Sequence, residues 1–255
     1  MPLRQHGQLR KRWRYVGFFA EELMLCMARA EVGPLTQSFW VLWDRERGRQ
    51  LNHTAVRPGS REVTFAGPLA EMAADGMRAS LRLGDAAAIE SICPSGAGWG
   101  WTRKRAGVPI EATIETPGRR WELTGRGVDD ESAGYHQRRT SWLWSAGVGR
   151  AADGRDLAWN LVEGVNDPPH HSERTIWLDG EPTEPRPVAF DGLAAVGFGD
   201  GSRLAFAAGT EHSRDDNYLL LRSSYRHRFG TFSGALEGVE LESGLGVMEE
   251  HEALW

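Results

Sequence analysis

The residues best suited to chemistry in this chain are acids and histidines whose spacing places them beside apolar side chains. In the C-terminal stretch GLGVMEEHEALW, strand alternation puts Val247, Glu249, His251, Ala253 and Trp255 on one face. A carboxyl surrounded by apolar groups loses hydration, which raises its pKa and keeps it protonated near neutral pH. We expect Glu249 to be a catalytic acid with His251 as its proton partner. The same pattern is also typical of an edge strand with exposed glutamates, so both interpretations stay open.

A second acidic stretch, GVDDESAGYHQRR, stands just before a segment that contains Trp142 and Trp144. It supplies another candidate acid, Asp130, and another candidate proton partner, His136. Asp, Ser and Gly at this density are equally typical of a solvated loop with Asx turns. The sequence therefore leaves a site and a loop as alternatives here.

The stretch NDPPHHSER, residues 166–174, holds four potential metal ligands in seven residues: Asp167, His170, His171 and Glu173. Adjacent side chains in an extended chain point to opposite sides, so the two histidines cannot easily hold one ion. Neither proline can donate to a strand ladder, and both disfavour a helix before them. We expect a connecting loop with exposed histidines and no metal site, in which Glu173 or Arg174 forms a salt bridge.

Composition excludes several classes of function. A net charge of −5 in 255 residues gives no reason to expect nucleic acid or an anionic membrane as a partner. No apolar run is long enough to span a bilayer and no signal peptide is evident, so we expect a cytoplasmic protein without an integral membrane segment. The glycines of GAGWGW are not followed by Gly-Lys-Ser/Thr, and Ser145 lies outside a Gly-x-Ser-x-Gly motif. We expect no cofactor.

Hydrophobic periodicity predicts strands over most of the chain. From Arg138 to Gly149, alternation places Trp142 and Trp144 side by side on one face, and two further alternating segments complete a three-strand meander over 138–180. Many short strands joined by Gly, Asp-Gly and Pro turns favour an antiparallel barrel or sandwich. The stretch PLAEMAADGMRASLRL, residues 68–83, is rich in helix formers and is left as either a short helix or strand.

Five motifs in order carry a resemblance over nearly the whole chain: WTRKRAG, DDESAGYHQRRTSWLWSAGVG, WNLVEGVNDPPHHSERTIWLDG, FGTFSG and GVMEEHEALW. The chain resembles an uncharacterised actinobacterial domain family, distantly related to the lipocalin-like group of hydroxyneurosporene synthase and the AttH-type proteins. The resemblance implies an all-β fold of two lipocalin-like (calycin-like) antiparallel β-barrels packed together, with an apolar cavity. The expected halves are residues 1–120 and 121–255.

The interior side chains of a small barrel either fill it or leave room for one ligand. If such a cavity exists, we expect aromatic walls with few polar groups. The expected ligand-binding residues are Trp101, Tyr135, Trp142, Trp144, Trp159, Asn160, Glu173 and Trp177. One hypothesis is a cofactor-free hydratase or cyclase acting on an isoprenoid-like or polyketide-like molecule, with Glu249 or Asp130 as the acid. The alternatives are a carrier or sensor of a hydrophobic ligand, and a solid-core module that binds a partner.

Overall fold

The computed structural model describes residues 1–218 and 221–254, and every regular element within these ranges is a β-strand. A small ribbon comes first and consists of β1 (Arg4–Gln5) and β2 (Gln8–Leu9). The first large sheet then contains β3 (Lys11–Phe19), β4 (Leu23–Val32), β5 (Leu35–Asp44), β6 (Arg49–Val56), β7 (Val63–Ala66), β8 (Leu69–Ala74), β9 (Met77–Leu83), β10 (Ala88–Ser95), β11 (Gly98–Thr116) and β12 (Arg119–Gly134). The second contains β13 (Arg139–Ala151), β14 (Asp156–Glu163), β15 (Thr175–Leu178), β16 (Glu181–Thr183), β17 (Ala189–Asp191), β18 (Ala195–Gly197), β19 (Arg203–Tyr218), β20 (Leu221–Leu236) and β21 (Val239–Leu254).

The two sheets have related strand orders and each curls into a barrel. The first runs β6-β5-β4-β3-β12-β11-β9-β8-β7, with β10 also paired to β11, and the second runs β16-β15-β14-β13-β21-β20-β19-β18-β17. Every pairing in both sheets is antiparallel. The prediction of an all-β fold with two packed lipocalin-like barrels is thus confirmed. The chain passes from one sheet to the other between Gly134 and Arg139, so a boundary at residue 120 would fall inside β12.

Three hydrophobic clusters show how the barrels are filled and joined. One cluster consists only of residues between Val16 and Trp121 and fills the first barrel. Another consists only of residues between Leu157 and Met248 and fills the second. The third combines Tyr15, Phe19 and Met24 from the first half with Trp144 and other residues from the second. The barrels therefore pack through their outer surfaces.

The two-residue period of a strand explains how one strand can be buried on both faces. In β3, Val16 and Phe18 point into the first barrel, while Tyr15 and Phe19 point toward the second. Successive side chains of a strand point to opposite faces, so an interface strand must be apolar on both. The run YVGFF in β3 meets this requirement, and all five residues are buried.

Two segments differ from what their composition alone suggests. Residues 68–83 form the hairpin of β8 and β9, which turns at Asp75 and Gly76, both with positive φ. Asp-Gly is a typical hairpin turn, and the half-buried barrel surface outweighs the helix propensity of this segment. The acidic part of the stretch that includes Asp130, GVDDESAG, lies within β12 and is not a solvated loop, and the rest leads to β13.

The strand glycine Gly209 fits closely against Trp43 of the other barrel, and a Cβ at this position would overlap the indole ring. We predict that Gly209→Ala lowers the free energy of unfolding by about 1–3 kcal/mol, the usual cost of overpacking. Gly197→Ala is the matched control, because a Cβ there has only one neighbour, at 3.7 Å, and neither glycine has a positive φ. Denaturant titration would measure both, and equal stability of the two variants would contradict this packing.

Candidate functional site: a cavity between the two barrels

A cavity of about 430 Å³ lies between the two barrels. Its wall is mostly apolar, and its aromatic residues are Trp13, Tyr15, Phe39, Trp142, Trp144 and Tyr225. Its buried residues with acidic or basic side chains are Lys104, Asp130, Glu173 and Glu249. A volume of this size is within the usual range for small-molecule sites.

Strand order fixes where the polar groups lie along the cavity. In the first sheet, β12 and β11 lie on one side of β3, and β4, β5 and β6 lie on the other. In the second sheet, β21 has β13 and β14 on one side and β20 and β19 on the other. The ionic residues Lys104, Asp130 and Glu173 therefore occupy one flank. Glu249, on β21, lies between that flank and His212 of β19.

Glu249 is a buried carboxyl held by two donors. The indole Nε1 of Trp142 donates to its Oε1 at 2.9 Å, and the Tyr225 hydroxyl donates to its Oε2 at 3.0 Å. Burial raises the pKa of Glu249 from 4.5 to about 7, although both hydrogen bonds favour the ionised form. The two bonds fix the carboxyl plane and leave its own proton without a protein acceptor within the described ranges. This carboxyl is well placed to donate a proton into the cavity.

His251 lies beside Glu249 on the same face of β21. Its Nε2 is 2.8 Å from the hydroxyl of Ser223, and its ring centroid is 4.3 Å from that of Trp142. Burial lowers the pKa of His251 to about 4, so the imidazole is neutral near neutral pH. A neutral imidazole here can accept or relay a proton but does not compensate a charge on Glu249.

Lys104 joins the two barrels through one ammonium group. Its Nζ is 2.6 Å from Asp130 Oδ2, on β12, and 3.2 Å from Glu173 Oε1, in the loop before β15. Burial raises the pKa of both carboxyls, and so do neighbouring acids, Asp129 and Glu131 for Asp130 and Asp130 for Glu173, with Lys104 acting against these shifts. Burial lowers the pKa of Lys104, but the two carboxylates outweigh it and the net shift is upward. We call Lys104, Asp130, Glu173 and Asn166, which donates to Glu173 at 2.9 Å, the ionic cluster.

The structure places some candidate residues in the cavity wall and others elsewhere. Glu249, His251, Asp130, Glu173, Trp142 and Trp144 line the cavity. Asn160 lies behind the wall, where it accepts from the indole of Trp144 at 2.8 Å. Six of the expected residues therefore come together, and Asn160 supports one of them.

The other candidates have different surroundings. His136 is separated from the cavity by Trp13, and the centroids of the two rings are 5.1 Å apart. Burial, and to a smaller extent the charge of Lys11, lowers the pKa of His136 to about 4. Tyr135 donates to the carbonyl of Pro2, and Trp101 donates to Glu90 at the surface. Trp159 lies inside the second barrel, and Trp177 packs in the barrel interface and donates to the carbonyl of Ala87.

The loop over 166–174 agrees with its predicted role as a connection with exposed histidines. The side chain of Arg174 is almost fully buried and donates to the carbonyls of Asp167 and Pro168, which holds the loop in place. Glu173 points toward Lys104 across the interface and not into the second barrel. Across residues 1–218 and 221–254, no cluster of three or more His, Cys, Asp and Glu side chains has metal-binding geometry.

Sequence reasoning missed Lys104, Tyr225, Trp13 and Asn166, all of which line the cavity. The rarity of lysine could have drawn attention to Lys104, since the chain has only two lysines against 28 arginines. It also lies in WTRKRAG, one of the motifs that carried the resemblance. Neither observation shows that this lysine is buried.

The model of the family described as a domain of unknown function, DUF2804, matches residues 59–255. The chain belongs to this family. The match starts after β6, so part of the first sheet of this DUF2804 chain precedes it. A comparison with curated proteins finds no match.

Two solved structures share the fold. An AttH-like protein of Nitrosomonas europaea is 12% identical, with a TM-score of 0.60, over 94% of this chain and 92% of that one. Kievitone hydratase from Nectria haematococca is 10% identical, with a TM-score of 0.64, over 94% of this chain and 88% of that one. Likeness at this level of identity concerns the fold of the DUF2804 chain alone. The described parts of the chain contain no helix long and apolar enough to cross a membrane.

The raised pKa of Glu249 should make stability depend on pH. The folded carboxyl keeps its proton to about pH 7, whereas its ordinary value is 4.5. This contribution to stability is therefore complete below pH 4.5 and is lost as the pH rises through about 7. We predict that the Glu249 carboxyl lowers the free energy of unfolding of the wild type by about 3 kcal/mol over this interval. The Glu249→Gln variant should not show this decrease.

Denaturant titrations across this pH range would measure the difference between wild type and Glu249→Gln. Glu250→Gln is the control, because Glu250 lies on the opposite face of β21 and pairs with Arg226. The control should keep the wild-type pH dependence. An identical slope in Glu249→Gln and wild type would contradict a raised pKa at Glu249.

The Lys104→Met substitution should leave the buried carboxyls of Asp130 and Glu173 without the cation that pairs with both. We predict a loss of about 3–5 kcal/mol in the free energy of unfolding at neutral pH, which shrinks at acidic pH as the carboxylates take up protons. Arg103→Met is the control, since Arg103 lies at the surface, 3.9 Å from Glu90, and should change stability by less than about 1 kcal/mol. Comparable losses for the two variants at neutral pH would rule out this role for Lys104.

Proposed function

We propose that the cavity binds an apolar small molecule and that Glu249 protonates a carbon–carbon double bond in it, which makes the chain a cofactor-free hydratase or cyclase. The proposal depends on one observation above all. A buried carboxyl with a pKa of about 7 lies in an aromatic wall, held by Trp142 and Tyr225. A general acid works best when its pKa is near the working pH.

The first step transfers the Glu249 proton to one carbon of the double bond, and the electron pair of that bond forms the new C–H bond. The other carbon becomes a carbocation and Glu249 becomes a carboxylate. The indoles of Trp142 and Trp144 lie in the same wall and attract this cation by cation–π interaction, worth about 2 kcal/mol when the site is dry. The donors Trp142 and Tyr225 stabilise the carboxylate formed at the same time.

The second step consumes the cation and restores the acid. In a hydratase, a water oxygen bonds to the cationic carbon and then loses a proton to Glu249. In a cyclase, a second double bond or a hydroxyl of the same molecule attacks instead, and the proton then lost returns to Glu249. Neither route changes the oxidation state of the ligand, so neither needs a redox partner.

The position of the carboxyls supports an enzyme over a pure carrier. A carrier of an apolar ligand needs no ionisable acid in its cavity, and burying one costs free energy. Here Asp130, Glu173 and Glu249 all line the cavity. The open space between the barrels supports ligand binding, although hydrophobic clusters fill both barrels as the solid-core alternative expects.

Incubation with a panel of isoprenoid and polyketide-like alkenes in D₂O tests this function. Protonation by Glu249 should place deuterium on carbon in both hydration and cyclisation, and mass spectrometry would detect it. We predict that Glu249→Gln lowers turnover at least about 10²-fold, while Glu250→Gln keeps it. Binding of the alkenes without deuterium uptake by wild type would indicate a carrier, and undiminished turnover in Glu249→Gln would exclude this acid.

A further inference from the structure

The ionic cluster contains two buried acceptor atoms that lack a partner in the protein. Asp130 Oδ1 and Asn166 Oδ1 form no hydrogen bond with any described residue, although Asp130 is 8% and Asn166 6% exposed. Both side chains belong to the cavity wall. Buried polar atoms are nearly always satisfied, and leaving one unpaired costs about 1–3 kcal/mol. Two such atoms on residues of one wall are available to a donor that enters the cavity.

The same cluster also has a donor to offer. Lys104 carries three N–H protons, and its ion pairs with Asp130 and Glu173 account for two of them within the described ranges. Lys104 also lines the cavity. A ligand group at this flank therefore meets two acceptors and one cationic donor.

We propose that the ionic cluster is a recognition site for a hydroxyl group on an otherwise apolar ligand. A hydroxyl both donates and accepts, so its proton can reach Asp130 or Asn166 while its oxygen accepts from Lys104. An ether or a ketone cannot donate to these acceptors. A cationic amine can donate to these acceptors but cannot accept from Lys104, so it satisfies only part of the cluster.

This recognition also gives the ligand a direction in the cavity. The ionic cluster lies on the flank formed by β11 and β12, whereas Glu249 is on β21, with Tyr15 and Trp144 also in the wall. A hydroxyl held by the cluster places the apolar part of the molecule against the aromatic wall and Glu249. The inference rests on the proposed function in using the same cavity, but it concerns binding and requires no turnover.

Calorimetric titration of the wild-type chain with 2-naphthol, 2-methoxynaphthalene, naphthalene and 2-naphthylmethylamine tests the proposal. The four probes share one apolar skeleton and differ in the polar group. We predict that 2-naphthol binds roughly tenfold more tightly than naphthalene and 2-methoxynaphthalene, and that the amine does not exceed it. Equal affinity for the hydroxyl, ether and hydrocarbon probes, or tightest binding of the amine, would overturn the proposal.

Variants assign this preference to the cluster. Asp130→Leu removes one unpaired acceptor and leaves Lys104 paired with Glu173 alone, so the preference for 2-naphthol should fall to about twofold or less, with naphthalene affinity unchanged. Glu249→Gln should keep the full preference, because Glu249 does not belong to the cluster. A full preference in a folded Asp130→Leu variant would overturn the assignment. Where that variant does not fold, the wild-type comparison of probes still decides the proposal.

Loss of the hydroxyl preference and loss of catalysis have different signatures. Absence of deuterium uptake with the preference intact would refute the proposed acid chemistry and keep the recognition site. Deuterium uptake that depends on Glu249, without any hydroxyl preference, would keep the enzyme and remove the recognition site.

Discussion

The packing of two barrels through their outer surfaces is the constraint on which the rest of the structure depends. The strands between the barrels, such as β3, are buried on both faces, so their side chains must fill one barrel and meet the other. Trp43 and Gly209 show close contact between the barrels, because the indole ring lies directly against the glycine. Tyr15 and Trp144 are also in contact, with ring centroids 5.2 Å apart, and beside them the two surfaces leave a cavity in place of a solid interface.

Burial raises the pKa of all three carboxyls of this cavity, but their partners differ. Glu249 has two neutral donors and no cation, so burial keeps its proton on near neutral pH. Asp130 and Glu173 share Lys104, whose charge acts against this rise in their pKa, and burying all three groups has a high cost in desolvation. An apolar interface would avoid that cost. A buried ion cluster next to a cavity is therefore more easily explained by ligand recognition than by stability.

Period-two alternation was enough to predict much of this arrangement from the sequence. It placed Trp142 with Trp144 and Glu249 with His251 on shared faces, and each pair lines the cavity. It could not show which face of a strand lies inside a barrel and which lies between barrels. Trp159 and Trp144 are equally aromatic and come from adjacent strands, yet one fills the second barrel and the other lines the cavity. That difference depends on how the two barrels pack against each other, and the alternation of residues along one strand contains no information about this packing.

The ionic cluster could not be predicted from the sequence because its residues come from segments that are far apart along the chain. Lys104, Asp130 and Glu173 come from two strands and a loop, and their pairing requires the register of β11 with β12 and the docking of the second barrel. Asn166 has a positive φ, which an asparagine adopts more readily than most residues, and this turn brings its side chain to Glu173. The loop that first suggested a metal site thus contributes through its buried residues, Asn166 and Glu173, while its histidines remain at the surface. Because these two residues belong to the second half and Lys104 to the first, the recognition surface exists only when both barrels are docked.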